Sequence, residues 1–257
     1  RAFGEAGDTV VLEEYLSGPE VSVFAFCDGE RFSPLVAACD YKRLGDGNIG
    51  PNTGGMGSFA QPDIWNSELS TQVESTIIRP VLQAMAERGT PYKGVLYAGL
   101  MLTESGPKVL EFNCRLGDPE TQVVIPLLAS DPLELMMACA QGNLSQTEVS
   151  WYKKNYVGVV MVSGGYPGKY QTGFEISGLD EDGPNDTMVF HAGTKLDPTG
   201  TPLTAGGRVL TVVGGGESIE SARERAYSRL ELIGFQGAQW RRDISSVANQ
   251  STAQATG

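Results

Sequence analysis

The sequence predicts an α/β chain of the α+β kind, and three observations predict it. Between residues 20 and 113 several short runs alternate apolar and polar positions with period two, the pattern of half-buried strands. Helical spacing is confined to three stretches, beginning near residues 67, 131 and 218. Beyond residue 150 strands dominate, punctuated by Gly-Gly and Pro-Gly turns.

The elements follow in order. Residues 10–16 form a short apolar run that ends at Ser17-Gly18-Pro19, a turn signal, and 20–28 alternates into a second strand. Asp28-Gly29 is a hairpin dipeptide, so 31–40 is expected to return antiparallel as a third strand. From residue 67 the positions Leu69, Val73, Ile77, Val81 and Met85 recur at helical spacing, with Gly89 as the stop and Pro80 inside as a kink or break. Residues 94–103 form a nearly continuous apolar strand, turned by Glu104-Ser105-Gly106-Pro107 into a strand over 108–113. Asp131-Pro132-Leu133-Glu134 combines an N-cap, a proline at N1 and an early acid, which starts a helix running to about Gln141 before Gly142. Strands are expected over 157–163, 188–194 and 208–213, and an amphipathic helix over 218–233. The polar composition around 144–150 suggests a boundary between domains at 1–147 and 148–246, with 247–257 a frayed, disordered tail.

Composition narrows the function. The 31 acidic against 19 basic residues give a net charge of −12 with no basic tract, which argues against nucleic acid or an anionic membrane as partner. The four cysteines form no Cys-x-x-Cys pattern, and the one His191 completes no zinc set, so a reduced, cytoplasmic setting is expected. No apolar run approaches the ~20 residues that span a bilayer. His191 lies in a strand with no nearby acid to orient it and reads as structural. The chain opens on Arg1 rather than Met and enters a strand within ten residues, which reads as a cut through a longer protein.

The chemistry concentrates in 109–122. Alternation over 108–113 puts Leu110 and Phe112 on one face and Glu111 and Asn113 on the other, about 7 Å apart along the strand. A carboxylate and an amide oxygen are hard donors suited to Mg²⁺, which takes one or two protein ligands and leaves its other positions to water and phosphate. Arg115 follows at the strand end, where its planar fork can meet a phosphoryl or carboxylate group. On spacing alone, the solvated face of an edge strand is the commoner reading, and Asp118-Pro119 also suits the start of a helix at Thr121. Upstream, residues 45–57 carry six glycines, a loop too long and Gly-rich to be mere connection. No Gly-Lys-Ser/Thr follows, so it is not a Walker A loop.

Arg115-Leu116-Gly117-Asp118-Pro119-Glu120-Thr121-Gln122, together with Gly50-Pro51-Asn52-Thr53-Gly54-Gly55-Met56-Gly57, resembles the glycinamide ribonucleotide synthetase (phosphoribosylamine–glycine ligase) family of ATP-grasp enzymes. The resemblance covers nearly the whole chain and implies the second half of an ATP-grasp domain followed by a small β-rich carboxy-terminal domain. It implies that a substrate domain and the first ATP-grasp half precede this chain, and that the chain alone is inactive. The implied reaction joins glycine to 5-phosphoribosylamine through glycyl phosphate, with ATP as co-substrate and Mg²⁺ or Mn²⁺ as cofactor, in a protein that is monomeric or weakly self-associating. By the same resemblance Glu13, Glu14, Leu16, Glu20 and Lys42 would serve the nucleotide, with Glu20 on the ribose hydroxyls. Arg43, Asn52, Thr53, Gly54 and Gly55 would border the substrates, Glu111 and Asn113 would hold the metal, Arg115 would neutralise developing charge, and Asp118 would grip a substrate amine. Another ATP-grasp carboxylate–amine ligase, or a non-catalytic nucleotide-binding fragment, remains as the alternative.

Overall fold

The computed structural model describes residue 4 and residues 8–246; the tail expected over 247–257 lies outside the described residues. Strands β1 (Glu20–Asp28) and β2 (Val36–Asp40) form the expected antiparallel pair, followed by a ribbon of β3 (Arg43–Gly45) and β4 (Ile49–Asn52) and by β5 (Gly57–Ala60). Helices α1 (Ser67–Val73) and α2 (Arg79–Glu87) are joined by a π-helical turn over Glu74–Ile78. Next come β6 (Lys93–Thr103), β7 (Gly106–Asn113), the single turn α3 (Thr121–Val124) and α4 (Pro132–Gln141). The carboxy-terminal part supplies β8 (Asn155–Val162), β9 (Thr187–His191), β10 (Thr194–Leu196), β11 (Pro202–Thr204), β12 (Arg208–Gly216) and α5 (Ile219–Leu230).

Among the described residues, eight strands build one sheet in the order β7-β6-β1-β2-β5-β8-β12-β9, with every pairing antiparallel. The period-two pattern sorts its faces. Val21, Val23, Ala25, Leu96, Ala98 and Leu100 point to one side and pack with Val73, Ile77, Ile78 and Leu82 of the first helical hairpin. Phe24, Phe26, Val36 and Tyr97 point to the other side, against α3 and α4. No helix of the described residues is long and apolar enough to cross a membrane.

Three expectations are corrected. Residues 10–16 form no strand: Val10, Val11 and Leu12 are at least three-quarters exposed, and an apolar run without alternation has no pairing partner there. The third strand begins at Val36 rather than Arg31, because Pro34 interrupts the ladder and leaves only an isolated bridge between Cys27 and Phe32. The helical stretch is interrupted beside Pro80, in keeping with a proline break: a π turn over Glu74–Ile78 separates α1 from α2, and Pro80 falls in the first turn of α2. Leu110 and Phe112 are each 38% exposed rather than buried, because β7 is the sheet edge and Leu110 is the extra residue of a bulge, with Gly99 paired to Glu111 but Leu100 to Val109. Strands from both sides of residue 148 join one sheet, since β5 pairs with β8 at Gly57 and Val159. Asp131 caps α4 as expected, accepting from the backbone of Leu133 and Glu134.

Candidate active site

Sheet register assembles the site. Ser22 pairs with Gly99, Gly99 with Glu111 and Tyr97 with Asn113. One residue pair away, Asp40 lies opposite Ser58. Because side chains alternate, Glu20 and Ser22 of β1, Tyr97 and Gly99 of β6, Asp40 of β2 and Glu111 and Asn113 of β7 share one face. Glu120 joins them from the loop before α3: its Oε1 accepts from Tyr97 Oη at 2.8 Å and Ser22 Oγ at 3.2 Å, while the two hydroxyls lie 2.7 Å apart. Gly117 leaves room for it, since a Cβ there would come within 2.5 Å of the Glu120 carboxylate and displace it.

Lys42 forms an ion pair with Glu20. Both side chains are about two-fifths exposed, so the pair orients the lysine more than it stabilises the fold. Burial opposes the lysine's charge, but Asp40 and Glu20 outweigh it with help from Glu111, and Lys42 titrates above the ordinary lysine value. Asp40 behaves oppositely. Burial, reinforced by Glu120 and Glu20 and only partly offset by Lys42, pushes its carboxyl up to about 7. Burial likewise raises Tyr97, with Glu120 adding to the rise. Next to this group lies a cavity of about 310 Å³, lined by Leu16, Gly18, Glu20, Asp40, Lys42, Arg43, Asn52 and Met101 among others.

Glu111 and Asn113 are in side-chain contact, Asn113 Nδ2 donating to Glu111 Oε1 at 3.0 Å. The two side chains thus lie side by side, and a carboxylate with an amide oxygen is a donor set that suits a hard divalent ion. Among the described residues, no group of three or more His, Cys, Asp or Glu side chains could hold a metal. A Glu–Asn pair thus leaves most coordination positions to water and phosphate, as Mg²⁺ prefers.

The structure gathers some of the expected residues and disperses others. Leu16, Glu20, Lys42, Arg43 and Asn52 meet at the cavity. Glu13 and Glu14 lie outside it on an exposed segment without regular secondary structure. Thr53 Oγ1 donates to the Lys42 carbonyl and accepts from Gly55 N, so it shapes the loop. Arg115 is exposed, its Nη1 donating to Leu116 O at 2.9 Å. Asp118 does not cap α3, where Glu120 occupies that position; it accepts from Gln122 and pairs with Arg208 at 2.8 Å. His191 Nδ1 sits 3.0 Å from Thr194 Oγ1, remote from these residues in sequence and sheet order. Asp40, Ser22, Tyr97, Glu120 and Arg208 were not singled out from sequence. Asp40 was within reach, two residues from Lys42 at a strand end; Arg208 carried no local signal.

Comparison with known proteins now has a geometry to attach to. Residues 1–121 match the family model "Phosphoribosylglycinamide synthetase, ATP-grasp (A) domain", and residues 156–247 match the C domain of the same synthetase. Phosphoribosylamine–glycine ligase from Caldanaerobacter subterraneus subsp. tengcongensis is 48% identical over 246 residues, covering 96% of this chain and 58% of the relative. The trifunctional purine biosynthetic protein adenosine-3 of Gallus gallus is 47% identical over 258 residues, 100% of this chain and 26% of that one. The crystal structure of phosphoribosylamine–glycine ligase from Thermotoga maritima superposes with a TM-score of 0.77 at 37% identity, covering 91% of this chain and 57% of that one. The antiparallel sheet with its polar face is that of an ATP-grasp protein. Within that class, the chain belongs to the phosphoribosylglycinamide synthetase family. It spans 58% of the length of the first of these curated relatives.

Proposed function

We propose that this chain is the part of an ATP-dependent ligase that joins glycine to 5-phosphoribosylamine, giving glycinamide ribonucleotide in purine biosynthesis. The observation that carries the reading is the convergence on one sheet face of the Glu111–Asn113 pair, the Glu20–Lys42 pair and the loop that opens at Arg115. ATP phosphorylates the glycine carboxylate, and the amine of phosphoribosylamine attacks the resulting acyl phosphate, forming the amide and releasing phosphate. In this reading Leu16 and Glu20 border the adenosine and Lys42 reaches toward phosphate from the cavity rim. Glu111 and Asn113 would hold Mg²⁺ or Mn²⁺, which supplies charge neutralisation on the phosphates. Arg115, exposed, would offset charge that builds on the transferring phosphoryl group. Arg43, Asn52, Gly54 and Gly55 would border the acid and amine. Asp118, engaged by Arg208, would shape the substrate side rather than grip an amine directly. A cytoplasmic setting belongs to the same reading and is supported by four free thiols.

The test is glycine- and phosphoribosylamine-dependent ADP formation by the full-length gene product, across a Mg²⁺ titration, with Glu111→Gln beside it. The substitution keeps shape and removes the charge that attracts the cation. Turnover should fall by about a hundredfold or more while the melting temperature holds. Near-normal turnover of Glu111→Gln at low Mg²⁺ rejects the assignment of the metal pair.

A further inference from the structure

Two loops that the functional reading gives to the substrates cross at one point, and a side chain from far along the chain holds the crossing. Arg208, at the start of β12, donates through Nη1 to the carbonyl oxygens of Gly54 and of Asp118, the second at 2.8 Å, and through Nη2 to Asp118 Oδ2 at 2.8 Å. Tyr166 Oη accepts from Gly54 N at 3.0 Å. The junction is tight. A Cβ on Gly54 would lie 3.2 Å from Arg208 Cζ and 3.3 Å from Tyr166 Oη, and one on Gly55 would lie 2.4 Å from Pro119 Cδ. Ser58 Oγ closes the far side by donating to Pro119 O at 2.8 Å.

We propose that Arg208 is a positioning residue of the ligation site, one that sets the spacing between the Gly54–Gly55 turn and the Asp118–Pro119 loop and thereby the placement of glycine and the amine. The proposal rests on the functional reading above. An arginine is needed because a planar fork can address two carbonyls and a carboxylate together, whereas a lysine offers one point charge on a flexible stem. Its side chain is 23% exposed and joins two loops rather than filling a core, so its loss disturbs loop spacing before global packing. Gly54, Asp118 and Arg208 do not line the cavity at Leu16, Glu20 and Lys42, although Arg43 and Asn52 of the same loop do. A second arginine makes the contrast. Arg241 is wholly buried, donates to Arg43 O and Asn48 Oδ1, and pairs with Asp243, so it anchors the β3–β4 ribbon by packing.

The experiment measures KM for glycine, phosphoribosylamine and ATP separately, together with thermal melting, on the full-length gene product and its Arg208→Lys and Tyr166→Phe variants. Arg208→Lys should raise KM for glycine or the amine by about tenfold while KM for ATP stays unchanged, because misplacement by a fraction of an ångström is felt where the reactants must be aligned. Tyr166→Phe removes only the hydroxyl on Gly54 N, keeps the arginine, and should show the same split more weakly. Asp118→Asn combined with Arg208→Lys should be no worse than Arg208→Lys alone, since both act on one contact. The proposal is overturned if Arg208→Lys and Tyr166→Phe change none of the three constants, or if either raises all three together as melting falls. Absence of glycine- and amine-dependent ADP formation by the unsubstituted protein overturns the functional reading, and this inference with it.

Discussion

Replacing Asp40 with asparagine gives a stability change whose sign and size follow from the structure. Asp40 shares a sheet face with Glu20, and burial together with Glu120 and Glu20 raises its carboxyl from 3.8 to about 7. A raised carboxyl means that the folded chain holds a proton the unfolded chain has already released, throughout the window between those values. Stability from this group is therefore present at low pH and is lost as pH rises toward 7, at about 1.4 kcal/mol per pH unit for one proton. Between pH 5 and 7 the loss is on the order of 2 kcal/mol, with the two adjacent carboxylates supplying part of it and Lys42 offsetting part. Asparagine has the same shape and no proton to release. Denaturant titrations of this chain and of Asp40→Asn at pH 5 and pH 8 should show the variant losing roughly 2–3 kcal/mol less than the parent between the two conditions. Groups that do not interact with Asp40 titrate alike in both proteins and cancel in the difference. Parallel pH profiles would refute the reasoning, because they would mean that Asp40 is as well solvated in the folded chain as in the unfolded one.

Two further expectations concern stability alone. Gly55→Ala would set a Cβ 2.4 Å from Pro119 Cδ at a φ of +111°, and should cost about 2–5 kcal/mol from backbone strain and overpacking together; a loss below about 1 kcal/mol in the same denaturant titration rules out the close crossing of the two loops. Leu110→Gln, at the bulge of the edge strand, should cost less than about 1 kcal/mol, since more than a third of Leu110 already meets water. A melting-temperature drop of the size typical of a core substitution would show that Leu110 is buried after all.

The parts of the fold that were legible in the sequence are those whose determinants are local. Alternation marked β1 and β7, a nearly continuous apolar run marked β6, and the Asp131-Pro132 start marked α4 with the capping that the structure shows. The Glu111–Asn113 pairing was legible because both residues sit on one strand with the right parity. What was not legible depends on register between distant strands. Ser22 and Tyr97 are 75 residues apart, and Glu120 is 98 residues from Ser22, yet they share hydrogen bonds because β1, β6 and the loop before α3 meet there. No periodicity within a single segment encodes which residue of the next strand it will face. The bulge at Leu110 is hidden for the same reason: one extra residue in β7 leaves the local pattern intact and moves its partner. Residues 10–16 misled in the opposite direction, since apolar content without alternation says nothing about a pairing partner.

The same dependence on distant residues explains how so glycine-rich a loop can keep a defined shape. Free glycines lose more conformational entropy on ordering than other residues, so a stretch such as 45–57 cannot order itself cheaply. Here the ordering is supplied from outside. Arg241 holds Arg43 O and Asn48 Oδ1, Asp243 accepts from Gly47 N, and Asp46 Oδ1 accepts from Arg242 N, so the ribbon end of the loop is fastened to residues 241–243. At the other end Arg208 and Tyr166 fasten Gly54. All five fastening residues come from the carboxy-terminal part, which is also bonded into the same sheet through β5 and β8. That part is therefore structurally continuous with the site: it completes the sheet on which Glu20, Asp40, Glu111 and Asn113 are displayed, and it sets the shape of the loop that faces them. Glycine at 54 and 55 then serves close approach, and the cost of its freedom is met by side chains more than a hundred residues downstream.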